Sequence, residues 1–146
     1  MMGYILPNNP GVIVPVADGW YHTGDVVVVD ELGFVKIVDR VKRFAKIGGE
    51  MISLTAVENI AQEIWNSDDF HVGAVALPHP KKGEYIILVS NNKDVSKETF
   101  TAKVQEKKMS ELYIPSEFLY KEELPIFATG KADIPTLKKW VMEQVK

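Results

Sequence analysis

The sequence predicts a compact α+β domain preceded by short antiparallel strands, and three observations carry that prediction. Up to about residue 40, short β-prone runs alternate with turn signals. Beyond it, apolar residues recur at spacings of three and four in separate stretches, the pattern of one-sided helices. Between those stretches lie near-continuous apolar runs too short to be helices. From residue 41 on, the predicted order is hairpin, helix, strand, strand, helix, strand, helix.

The first segment places β-prone runs at Val12 to Val16, Val26 to Val29 and Phe34 to Val38, separated by Asp18-Gly19 and by Glu31 to Gly33. Val26 to Val29 is apolar throughout and is expected to be buried on both faces, whereas Lys36 should carry its charge to solvent. After Asp39-Arg40 the basic stretch Lys42, Arg43 and Lys46 leads to Gly48-Gly49, and Glu50 to Ile52 forms the second arm of a hairpin. The boundary is placed there, with residues 1–40 as one segment and 41–146 as the following domain.

Ser53 is a good N-cap, and Leu54, Val57, Ile60, Ala61 and Ile64 define the apolar face of the helix it opens. Val72 to Leu77 and Tyr85 to Val89 supply two strands around the turn-like Pro78 to Glu84. A second helix begins after Ser96 and runs towards Lys108, with Phe100 and Val104 inward, and a further strand includes Phe118 to Tyr120. The last helix takes Asp133 as N-cap and Pro135 in its first turn, where a missing N–H is harmless. Its apolar face is Ile134, Leu137, Trp140, Val141 and Val145.

Composition narrows the chemistry. The chain has 146 residues, 46% hydrophobic and 25% charged, enough to bury a core. With no cysteine, disulfides and thiolate chemistry are excluded. Seventeen Lys and Arg against twenty Asp and Glu leave a net charge of -3, which argues against a general nucleic-acid partner. His22, His71 and His79 lack the close pairing of a helix-borne metal site, so no metal is expected here. No apolar run of about 18 residues and no secretory leader are present, giving the expectation of a soluble, cytoplasmic-side fragment. Met1-Met2 runs straight into strand-like Gly3-Tyr4-Ile5-Leu6-Pro7, which reads as the middle of a domain.

Three separated motifs carry chemistry. Tyr21-His22-Thr23-Gly24-Asp25 presents a carboxylate just before a strand, where it can accept both hydrogen bonds of a ribose diol or merely close a turn. Val38-Asp39-Arg40-Val41-Lys42-Arg43-Phe44-Ala45-Lys46-Ile47-Gly48-Gly49-Glu50, followed by Glu58, combines a guanidinium fork, mobile ammonium groups and glycines that permit close backbone approach. A solvated basic hairpin is the plainer reading of the same run. Pro125 to Asp133 sets Lys131 after Gly130, just before a helix cap, where it can swing towards developing charge or stand as an ordinary exposed lysine.

In this order the three motifs resemble the adenylate-forming superfamily of acyl-CoA synthetases, firefly-type luciferases and peptide-synthetase adenylation domains, across essentially the whole chain. The resemblance implies that residues 1–40 are the last strands of a large AMP-binding domain and that residues 41–146 are the small C-terminal lid. It further implies that Asp25 binds the ribose hydroxyls, Arg40 approaches the nucleotide and Lys42 is the hinge. Lys131 would catalyse adenylation, and Lys46 would lie on the lid face used in the second half-reaction, with Gly48, Gly49 and Gly130 allowing close turns. Gly83-Glu84 matches the lid's strand-turn pattern. Asp39 and Arg43 depart from it, standing where the family usually has glycine and an acid or small residue.

The wording Arg-Phe-Ala-Lys-Ile-Gly-Gly-Glu-Met-Ile-Ser-Leu, together with Gly-Tyr-Ile-Leu-Pro near the start and Thr-Leu-Lys-Lys-Trp-Val near the end, is similar to one branch in particular. That branch is the bacterial acyl-[acyl-carrier-protein] synthetases fused to a 2-acylglycerophosphoethanolamine acyltransferase. It implies ATP and Mg, bound mainly by the large domain, a long-chain fatty acid, the phosphopantetheine thiol of acyl carrier protein, and lysophospholipid reacylation at the inner membrane. The family's phosphate loop is absent, as is a His followed five residues on by Asp, so the chain alone is expected to be inactive. The alternatives are the lid of a long-chain acyl-CoA synthetase with free coenzyme A as acceptor, a non-catalytic module docking an acidic carrier protein, and a plain structural domain.

Overall fold

The structure is a computed structural model that describes residues 3–129 and 132–145. It divides into two compact units, Met1–Lys42 and Arg43–Lys146. No helix among the described residues is long and apolar enough to cross a membrane.

In the first unit β1 (Tyr4–Ile5) pairs antiparallel with β2 (Ile13–Val14), and β3 (Asp25–Val29) pairs antiparallel with β4 (Val35–Arg40) across a bulge at Val26 and Val27. The β3–β4 turn is closed by Asp30, whose Oδ1 accepts from the Leu32 and Phe34 amides at 2.9 Å each. Burial of Val26 to Val29 on both faces does not hold, because Val27, Val28 and Val29 are all exposed. A two-stranded ribbon taken by itself has no layer to cover either face.

The second unit is a five-stranded sheet with helices on both faces. Its strands are β5 (Phe44–Ile47), β6 (Glu50–Ser53), β7 (Val72–His79), β8 (Gly83–Ser90) and β9 (Glu117–Tyr120). The order is β6-β5-β8-β7, with β9 parallel to β8 and every other pair antiparallel. β7 and β8 pair from Val72↔Ser90 to His79↔Gly83, so both strands extend into the stretch that reads as a turn in the sequence. Pro78 is tolerated there because β7 is an edge strand.

All three helices form where their caps predict. α1 (Leu54–Ile64) starts on Ser53, whose hydroxyl accepts from the Ala56 amide at 3.0 Å, and α2 (Lys97–Glu106) starts on Ser96 in the same manner. α3 (Ile134–Gln144) starts on Asp133, which accepts from the Thr136 amide at 3.1 Å. Lys107 Nζ donates to Glu63 Oε1 at 2.9 Å, joining the end of α2 to α1, and this hydrogen bond holds the Glu63 carboxyl below the usual range.

The strand alternation explains the layering. Ala74, Ala76, Ile86 and Leu88 face one core with Val57, Ile60 and Ala61 of α1 and Phe100 and Val104 of α2. Val75, Leu77, Ile87 and Val89 face a second core with Leu137 and Val141 of α3. Gly73 lets α3 approach, since a Cβ there would stand 2.5 Å from Leu137 Cδ2.

Gly73→Ala is therefore expected to destabilise the fold by about 1–3 kcal/mol through overpacking, and Leu137→Ala by about 2–5 kcal/mol through cavity formation. In urea unfolding, the Gly73→Ala penalty should shrink when Leu137 is already Ala, because the obstructing methyl has gone.

Candidate functional site

The first unit builds one cluster of the expected site. Asp25 and Arg40 are directly paired in the β3–β4 register, and Arg40 Nε lies 2.7 Å from Asp25 Oδ1. Asp25 is 14% exposed and Arg40 is 65% exposed. The contact is an ion pair without a well-aligned hydrogen bond, so the buried Oδ1 keeps its accepting capacity. Arg40 Nη1 reaches the Thr23 carbonyl at 3.4 Å, and the Asp25 amide donates to Thr23 Oγ1 at 3.2 Å. Gly24 takes the turn at φ 74°, a region that disfavours any side chain, and its carbonyl accepts from the Val41 amide at 2.8 Å. A carboxylate with a free lone pair beside a guanidinium suits a ligand that carries both hydroxyl donors and negative charge.

The second unit begins with an anchor. Arg43 Nη2 donates to Glu58 Oε1 at 2.5 Å, and Arg43 Nη1 donates to the Ala74 carbonyl at 3.1 Å. The same Glu58 oxygen accepts from the Ala74 amide at 2.7 Å. Both side chains are mostly buried, and together they occupy the outward amide and carbonyl of an edge strand that would otherwise offer itself to another strand. Lys42, exposed in the 3₁₀ turn Val41–Arg43, thus stands between a residue bonded through its backbone to Gly24 and one held by Glu58 and Ala74.

Lys46 is exposed on β5 between buried Ala45 and Ile47, as strand alternation requires. Gly48 and Gly49 form the two-residue β5–β6 turn with φ of 59° and 93°, the conformation that favours glycine in tight hairpins. Gly130 and Lys131, the remaining expected site residues, lie outside the described residues. Among those described, no group of three His, Asp or Glu side chains could hold a metal ion.

Sequence reasoning did not find the Arg43–Glu58–Ala74 arrangement, although it carried a signal. Glu58 lies four residues from Leu54 and three from Ala61, next to the apolar stripe of α1, where a carboxylate needs a partner.

Comparison with known proteins shows what the whole chain resembles. No family model matches the chain. It is 32% identical over 133 residues to the 3-methylmercaptopropionyl-CoA ligase of Ruegeria pomeroyi, covering 90% of this chain and 24% of that protein. It is also 32% identical over 131 residues to the long-chain-fatty-acid–CoA ligase of Thermus thermophilus, covering 88% and 23%. Among solved structures, o-succinylbenzoate CoA synthetase of Bacillus subtilis in complex with its acyl-adenylate intermediate superposes with a TM-score of 0.68 at 28% identity, over 84% of this chain and 25% of that one.

These similarities support the adenylate-forming superfamily. Within it they point to the C-terminal domain of the acyl-CoA and fatty-acid ligases, and the chain spans about a quarter of the length of the curated relatives it matches. The three helices and mixed sheet are those of the superfamily's small lid domain.

The anchor at the start of this lid is open to a stability test. Arg43→Met and Glu58→Gln should each destabilise the fold, with a coupling of roughly 0.5–3 kcal/mol in a double-mutant cycle measured by chemical unfolding. A coupling near zero would mean that the pair is held in place by its surroundings without contributing to stability.

Proposed function

We propose that the chain is the C-terminal part of an ATP-dependent acid–thiol ligase, with residues 1–40 completing a large AMP-binding domain and residues 41–146 forming the lid. The observation that carries this reading is the similarity, over nearly the whole chain, to ligases named for coenzyme A, together with the paired Asp25 and Arg40. The exposed apolar side chains of β3 and β4 are then surface that the rest of the large domain covers.

In the first half-reaction a carboxylate oxygen attacks the α-phosphorus of ATP and pyrophosphate departs. Asp25 accepts the ribose hydroxyls, Arg40 approaches the nucleotide, and Lys131 neutralises charge on the reacting phosphate and carboxylate. ATP and its Mg²⁺ are held chiefly by the large domain. Rotation about Lys42 then brings the Lys46 face inward, and a thiolate sulfur attacks the acyl carbon with AMP leaving. The fatty-acid ligases among the relatives support a fatty acid as the carboxylate.

Coenzyme A is the acceptor we favour, because the relatives are named as coenzyme A ligases. Transfer to the phosphopantetheine of acyl carrier protein, with lysophospholipid reacylation at the membrane, rests only on the wording at Gly3 to Pro7, Arg43 to Leu54 and Thr136 to Val141.

In the full-length protein, Lys131→Ala should lower ATP–pyrophosphate exchange by about 10²–10³-fold, the loss typical of one transition-state donor. Unchanged exchange would remove Lys131 from catalysis. Thioester formation compared between coenzyme A and acyl carrier protein at equal concentration decides the acceptor, with the faster thiol expected to be coenzyme A.

A further inference from the structure

The Gly83-Glu84 step of the sequence has no role in the reading above, yet it meets Lys46 directly. In the β5–β6 hairpin the pairs Ile47↔Glu50, Lys46↔Met51 and Ala45↔Ile52 alternate between hydrogen-bonded and non-bonded positions. The two-residue turn makes Ile47↔Glu50 a bonded pair, so the N–H and C=O of Lys46 point away from β6, towards β8. The β5–β8 ladder, however, has only the single register pair Ile47↔Gly83. Further along, the same edge of β8 is taken by β9, from Ile87↔Glu117 onwards.

The Lys46 amide is therefore left without a strand partner, and the Glu84 carboxylate takes it, with Oε2 2.7 Å from the Lys46 nitrogen. The Lys46 carbonyl sits against Gly83, where a Cβ would be 2.8 Å from that oxygen and where φ is 86°. Beyond it, the Gly48 amide donates to the Lys82 carbonyl at 2.9 Å. Both backbone groups of Lys46 and the start of the Gly48-Gly49 turn are thus fixed by three successive residues, Lys82, Gly83 and Glu84. The Lys46 side chain is left exposed on the opposite side from Ala45 and Ile47.

We infer that Glu84 is a positioning residue for the thioester half-reaction, holding the Lys46 backbone so that its side chain and the following glycine turn are presented as one rigid edge. The inference rests on the reading that the Lys46 face serves that half-reaction. A charge-assisted bond to a single backbone amide suits the task, because it fixes the strand without engaging the lysine ammonium.

Full-length enzyme carrying Glu84→Ala, Glu84→Gln or Lys46→Ala is to be assayed separately for ATP–pyrophosphate exchange and for thioester formation from preformed acyl-adenylate. Glu84→Ala should slow thioester formation about ten-fold or more, with exchange within about two-fold of wild type, as a misplaced group far from the reacting atoms does. Glu84→Gln, whose amide oxygen still accepts from the Lys46 N–H, should recover most of the rate. Thioester formation that falls in Lys46→Ala but is unchanged in Glu84→Ala overturns the role of Glu84. If neither Glu84→Ala nor Lys46→Ala affects it, the reading of the Lys46 face fails and the inference falls with it. Equal losses in both half-reactions with a lowered Tm would show that Glu84 only supports the fold, which also overturns the inference. If Glu84→Ala does not fold, Glu84→Asp, one methylene shorter, makes the same test, and a wild-type thioester rate in that variant is again decisive against it.

Discussion

β7 and β8 form an antiparallel pair whose side chains are apolar on both faces, and neither face can be left to water. An antiparallel sheet commonly buries one face and solvates the other. Here the alternation of Ala74, Ala76, Ile86 and Leu88 with Val75, Leu77, Ile87 and Val89 demands cover on both sides. α1 and α2 supply it on one face and α3 on the other, and Gly73 opens the space that α3 needs. α3 is thereby fastened to the centre of the sheet through Leu137 and Val141.

The second consequence concerns the edges of the pair. β7 is an edge strand whose Ala74 amide and carbonyl are satisfied by Glu58 and Arg43, side chains standing in for a missing strand. β8 shares its other edge between two short neighbours, β5 at Gly83 and β9 from Ile87 onwards. Both exceptions to plain ladder pairing fall on residues next to the proposed chemistry. Arg43 follows the proposed hinge Lys42, and Glu84 holds Lys46. Buried polar groups must find partners, and here the side chains of Arg43, Glu58 and Glu84 serve backbone groups that the strand ladder leaves unpaired.

The same logic separates the two parts of the chain. In the second unit every strand has at least one apolar face covered by a helix or a neighbouring strand. In the first, Val27, Val28, Val29, Val35 and Ile37 are exposed on a two-stranded ribbon that nonetheless carries Asp25 and Arg40 in direct register. Local pairing is enough to set that ion pair, since the two residues are cross-strand neighbours. Under the proposed assignment of residues 1–40 to a large AMP-binding domain, the rest of that domain covers this surface.

What the sequence determined by itself was whatever acts within a few residues. Ser53, Ser96 and Asp133 start helices because a cap bonds to an amide three residues on, and the apolar faces of α1 and α3 follow from a spacing of three and four. The Gly48-Gly49 hairpin and the Asp25 turn are local for the same reason. The expected burial of Val26 to Val29 failed because burial depends on a second layer, which no run of four residues can specify. Only the tertiary structure decided that Arg43 reaches Glu58 and Ala74, 15 and 31 residues away, and that Glu84 reaches Lys46 across 38 residues. Those partners are brought together by sheet order and register, and register is set by which faces of distant strands are buried together.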